Sequence, residues 1–106
     1  MSDIYPNRKY AKHKVYNMSF HIVWVSKYRK KILVYPVDDY LKKIINDKST
    51  DFEVSIEEIE VMPDHVHLFV KTSTLINISK YIGTLKGYTS YVLRKKFINL
   101  KKYKSL

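Results

Sequence analysis

Hydrophobic and polar positions alternate from Val15 to Val25: Tyr16, Met18, Phe20, Ile22 and Trp24 fall on one face, with Val15, Asn17, Ser19, His21, Val23 and Val25 on the other. A period of two predicts a strand, and both faces turn apolar towards its end, as in a strand covered on both sides. Val37, Tyr40, Leu41, Ile44 and Ile45 then recur at helical spacing. They predict an amphipathic helix that opens with Pro36 in its first position and closes near Lys48 to Asp51, with Lys42, Lys43 and Asp47 on its wet side. Phe52, Val54 and Ile56 alternate, and Ile59 and Val61 continue in the opposite phase. That slip at Glu57-Glu58 predicts a β-bulge. Met62-Pro63-Asp64 reads as a tight turn leading into a second strand, so the two form a hairpin. A loop over Lys71 to Ile76 precedes a long helix from about Asn77 to Phe97. Its apolar face is Ile78, Ile82, Leu85, Thr89, Val92 and Lys96, widened by Tyr81, Tyr88 and Leu93. Gly83 and Gly87 lie four apart on that helix and leave a bare notch.

The order strand, helix, strand, strand, helix is the first part of a ferredoxin-like β-α-β-β-α-β unit. It predicts an α+β fold: an antiparallel sheet with helices on one face, its last strand and any C-terminal helix missing. Residues 1–106 read as a single domain, in which residues 1–13 form a loose basic arm.

Composition changes the picture mainly through charge. Twenty Lys and Arg against 10 Asp and Glu leave a net charge of +10. Such an excess points to a polyanionic partner, nucleic acid or an anionic membrane surface. The longest apolar run, Phe20 to Val25 broken by His21, is too short to span a bilayer, and no secretory signal opens the chain. The expectation is a cytoplasmic protein with no membrane association that meets nucleic acid. Cysteine is absent, which excludes disulfides, thiolate metal sites and a thiol nucleophile.

The candidate chemistry lies in VMPDHVHLFV, Val61 to Val70. On a strand His65, His67 and Phe69 share one face, and Val66, Leu68 and Val70 share the other. Two imidazoles so placed need partners. They are satisfied by hydrogen bonds at a sheet edge, or they hold a divalent ion whose remaining shell stays open to phosphate oxygens. Imidazole suits Mn²⁺ as well as Mg²⁺, and Mg²⁺ keeps several oxygen ligands from water or substrate.

Three stretches together carry a family resemblance. P-D-H-V-H, Pro63 to His67, resembles the HUH motif of the small tyrosine transposases of bacterial and archaeal insertion sequences, the IS-two-hundred-like class. "FHIVWVSKYRKKIL" is similar to that family's first strand and basic turn, and "LKGYTSYVLRKKF" to its long helix. The resemblance covers about residues 13–103. It implies cleavage and rejoining of single-stranded DNA beside a hairpin, with His65 and His67 as metal-binding catalytic residues and Mg²⁺ or Mn²⁺ as cofactor. It also implies a homodimer, and a tyrosine nucleophile that forms a 5′-phosphotyrosine link. The family's nucleophile and third ligand follow an L-W-x-x-S-Y-F-like stretch, which this sequence does not reach. The expectation is therefore a C-terminally truncated transposase with no assignable nucleophilic tyrosine. The alternative is a DNA-hairpin-binding remnant or regulator that does not cut. An RNA-binding ferredoxin-like domain lacks the stacking motif it requires.

Other positions keep two readings. Lys27, Tyr28, Arg29, Lys30 and Lys31 form a solvated loop or contact DNA, as do Lys86, Arg94, Lys95 and Lys96. Tyr81, Tyr88 and Tyr91 pack or stack on bases. His13 and His21 are extra ligands or, for His21, a hydrogen-bonded core residue. Asp64 caps the turn or approaches the metal.

Overall fold

The structure, a computed structural model, describes residues 16–104 and 106. The arm expected over residues 1–13, and His13 within it, lie outside the described residues. Strand β1 (Met18–Val25) leads through a short turn at Lys27–Arg29 to helix α1 (Val37–Ser49), then β2 (Val54–Met62), β3 (His65–Thr72) and helix α2 (Leu75–Lys96). The three strands form one antiparallel sheet in the order β1-β3-β2. This is the ferredoxin-like arrangement, with β3 at the centre.

Alternation on β3 fixes the layers. Val66, Leu68 and Val70 are wholly buried and pack in one cluster with Ile44, Ile45, Tyr81 and Leu85 of the helices. The helices therefore cover that face, and His65, His67 and Phe69 project from the other. The bulge falls as expected. Ile56 pairs with Val70 and Glu58 with Phe69, so Glu57 is skipped. The slip keeps Val54 and Ile56, then Ile59 and Val61, on the core side, and turns Glu58, Glu60 and Met62 to the histidine side.

Helix α1 matches its periodicity, with Val37, Leu41, Ile44 and Ile45 buried and Asp38 and Asp39 in the first turn, where the helix dipole favours carboxylates. Pro36 occupies the cap rather than the first helical position. Helix α2 begins two residues earlier than the periodicity indicates. The Thr74 hydroxyl accepts the Asn77 N–H at 3.0 Å, an N-cap that allows helix from Leu75. The expected loop over Lys71 to Ile76 is correspondingly short, because β3 runs on to Thr72. The buried side of α2 centres on Ile78, Tyr81, Leu85, Thr89 and Leu93. Tyr88 and Lys96 lie at or beyond its margin.

β1 departs from expectation on its second face. Val23 is 57% exposed and Val25 is also exposed, so among the described residues the sheet is covered on one side only. After α2, Leu100 is buried, and Tyr103 and Leu106 pack against the core. The Leu106 N–H donates to Ser90, and its carbonyl accepts the Lys27 N–H. No helix among the described residues is long and apolar enough to cross a membrane.

Candidate functional site

The open face of the sheet is built by register. His65 stands between Val25 of β1 and Met62 of β2, and His67 between Val23 and Glu60. Central placement on β3 anchors both backbones in two ladders, while the buried valines and leucine beneath fix which way the rings point. The imidazoles thus sit on a rigid platform with exposed Val23, Val25 and Met62 around them.

Each ring has a partner. His65 Nδ1 lies 2.9 Å from Asp64 Oδ1. A carboxylate only accepts, so Nδ1–H donates and the Nε2 lone pair of His65 is left available. That hydrogen bond, reinforced by nearby positive charge that includes Arg29 and opposed by burial, holds the Asp64 carboxyl below the ordinary carboxylate value. Asp64 therefore serves mainly as the orienting partner of His65, and its backbone carbonyl ties down a neighbouring loop. His67 Nε2 lies 3.3 Å from Nδ1 of His21, whose ring stacks on Phe69 with centroids 4.4 Å apart. His21 is hydrogen-bonded, as one reading had it, but it stands exposed on the histidine face and not in the core. Its signal in the sequence was its parity: on β1 it shares a face with Val23 and Val25.

The basic loop is docked onto the turn of the histidine hairpin. The Ser26 N–H donates to the Asp64 carbonyl at 2.9 Å, and the Leu33 N–H to the Pro63 carbonyl at 2.9 Å. Lys27, Tyr28, Arg29, Lys30 and Lys31 are thereby held at the His65 end of the sheet. Lys86 instead borders a cavity of about 330 Å³ between β1 and α2, together with Trp24, Leu33, Leu93 and Leu106. Tyr88 lies in the helix layer, with the Lys48 ammonium 4.8 Å from its ring. Tyr88 is thus kept from the histidine face, whereas the cavity beside Lys86 also has Val23 and Val25 in its lining. Tyr40, Tyr81 and Tyr91 likewise belong to the helices.

Among the described residues no group of three or more His, Asp or Glu side chains is disposed to hold a metal ion. The donor chemistry of the pair nevertheless suits one. Two imidazoles share a face, and His65 has its second nitrogen anchored to a carboxylate, the usual outer partner of a ligating histidine.

Fold and site together define a ferredoxin-like α+β domain with an imidazole pair on its uncovered sheet face. Its relatives narrow that class. Residues 14–106 match the family described as Transposase IS200 like. The chain is 38% identical over 73 residues to the ISDra2 transposase TnpA of Deinococcus radiodurans, an alignment covering 69% of this chain and 52% of that protein. It is 31% identical over 104 residues to the transposase for insertion sequence element IS200 of Salmonella typhimurium, covering 93% of this chain and 66% of the relative. A crystal structure of a proposed transposase from Deinococcus radiodurans superposes with a TM-score of 0.76 at 35% identity, over 90% of this chain and 70% of that one. The chain belongs to the IS200-like transposase family. It spans about half the length of the first relative and 66% of the second.

Proposed function

We propose that the chain acts on single-stranded DNA carrying a hairpin, as the nucleic-acid-binding and metal-holding part of a strand-transfer reaction. The observation that carries this reading is the docking of the basic loop onto the hairpin turn that bears His65. One surface then offers cations for phosphates and imidazoles for an ion. His65 and His67 would hold Mg²⁺ or Mn²⁺, which when bound supplies Lewis-acid polarisation of a phosphodiester. Asp64 fixes the His65 ring, and His21 contacts that of His67. Lys27, Arg29, Lys30 and Lys31 neutralise the DNA backbone.

In the reaction itself a tyrosine hydroxyl attacks phosphorus, the P–O3′ bond breaks, and a 5′-phosphotyrosine and a free 3′-hydroxyl result. Rejoining reverses these steps without an external energy source, because the phosphodiester's bond energy is conserved. The helical tyrosines face away from the histidines, so no residue here is assigned the attacking role. The same reading includes a homodimer, formed at the outer edge of β1 or the adjoining surface.

Calorimetric titration with Mn²⁺ tests the metal reading. Wild type should bind weakly, since two protein ligands leave most of the shell to water, and His67→Ala should bind measurably less. Identical isotherms would return the histidines to a purely structural role.

A further inference from the structure

Tyr28 is held in a conformation that its type disfavours. Its backbone is left-handed (φ 60°, ψ 24°), and Arg29 follows with φ 53°. Two successive non-glycine residues in that region cost stability and persist only where the surroundings enforce them. Here they do. Before Tyr28, the Ser26 N–H bonds to Asp64 and the Lys27 N–H to Leu106; after it, the Arg29 N–H bonds to the Ser26 carbonyl and the Leu33 N–H to Pro63. Buried Ser26 also donates its hydroxyl to the Lys30 carbonyl, closing the loop on itself. What this frame achieves is display: Tyr28 is 81% exposed. Core packing explains neither the exposure nor the strain.

Cations lie over the ring. Lys30 Nζ lies 4.6 Å from its centroid and 4.8 Å from that of Tyr103, so one ammonium bridges two phenols, and Lys27 Nζ lies 5.7 Å from Tyr28. An exposed aromatic ring under lysines long enough to swing from its face onto phosphates matches one ligand chemistry well, an unpaired nucleobase with a phosphate on either side. Duplex bases hide their faces in the stack and offer no such surface. The net charge of +10 favours a polyanion over an aromatic peptide.

We propose that Tyr28 is a stacking platform for one unpaired base of single-stranded DNA, with Lys27 and Lys30 on the adjoining phosphates. Through the bonds from Ser26 and Leu33 to the Asp64 and Pro63 carbonyls, the platform is locked to the hairpin that carries His65. It therefore registers a base neighbouring the phosphate presented to the histidines. This assignment rests on the single-stranded DNA reading above and adds to it the residue that positions the strand.

Glycine separates display from folding. Tyr28→Gly relieves the left-handed strain and should raise the melting temperature. It should also weaken binding of a hairpin oligodeoxynucleotide with a single-stranded flank by about 10-fold or more. Tyr28→Phe, which keeps the ring, should stay within about twofold of wild type on the same stacking argument. Abasic sites scanned along the flank should reveal one position where wild type loses affinity and Tyr28→Gly loses no more. Unchanged binding by Tyr28→Gly, or equal losses at every abasic position, would overturn the platform. Failure of wild type to bind the hairpin oligonucleotide at all would overturn the functional reading beneath it. Tighter binding of the corresponding RNA, with the same Tyr28 dependence, would overturn the assignment to DNA.

Discussion

His21 and His67, 46 positions apart in the chain, meet through Nδ1 and Nε2 at 3.3 Å on the open face of the sheet. One nitrogen must donate. If His67 donates Nε2–H, its Nδ1 lone pair is free, just as His65 keeps Nε2 free by donating to Asp64. The contact then does for His67 what Asp64 does for His65. Replacing His21 by Phe preserves stacking on Phe69 and removes the nitrogen. Mn²⁺ affinity measured by calorimetry should fall by about 10-fold or more, the usual cost of losing an outer partner of a ligating histidine. Unaltered affinity would show that His67 needs no such partner.

DNA binding should weaken steeply with salt. Counterion release dominates for so basic a chain, and affinity for a hairpin oligonucleotide should drop by at least about 10-fold between roughly 50 and 200 mM salt. Lys30→Ala and Lys31→Ala should each reduce the slope of log affinity against log salt by about 1 if each contacts a phosphate. Mobility-shift titrations across a salt series decide it. A flat response would remove phosphate contact as the role of the loop.

Tyr81 should make stability fall in alkali. Its side chain is fully buried, and burial pushes the phenol above its ordinary value. The Ser49 hydroxyl already donates to the Ile45 carbonyl, so the Tyr81 hydroxyl is the donor in the 2.6 Å contact between them. The folded state keeps this proton where the unfolded state has lost it. Stability is thus full below about pH 10 and declines as pH rises through that value towards the higher folded one. Tyr81→Phe should abolish this tyrosine's share of the alkaline decline while costing about 1 kcal/mol at neutral pH. Urea melts of both proteins at pH 7 and above pH 10 compare the two effects.

Gly83 and Gly87 should both accept alanine. A Cβ added at either meets no atom within 4 Å, and both lie inside α2, where glycine costs roughly 1 kcal/mol relative to alanine. Each substitution should raise the melting temperature by about 4 °C or more. A drop in DNA affinity or dimer content accompanying the gain would show that the notch receives another molecule.

Local pattern determined a large part of this protein. The element order, the bulge at Glu57 and the split of His65 and His67 from Val66, Leu68 and Val70 all follow from periods of 2 and 3.6, which are properties of neighbouring residues. The Thr74 cap escaped that reading because a single hydroxyl, and no hydrophobic spacing, starts α2. The neighbours of β3 were another matter. That β1 flanks it, bringing His21 to His67, and that the Ser26–Leu33 loop hydrogen-bonds to the Pro63-Asp64 turn, depend on pairings between distant segments. Those pairings are set by which faces can be buried together, since hydrogen-bond ladders are indifferent to side chains while burial is not. The displayed ring of Tyr28 belongs to the same class: backbone bonds to Asp64, Pro63 and Leu106 frame its left-handed conformation, and no stretch of sequence around it carries them.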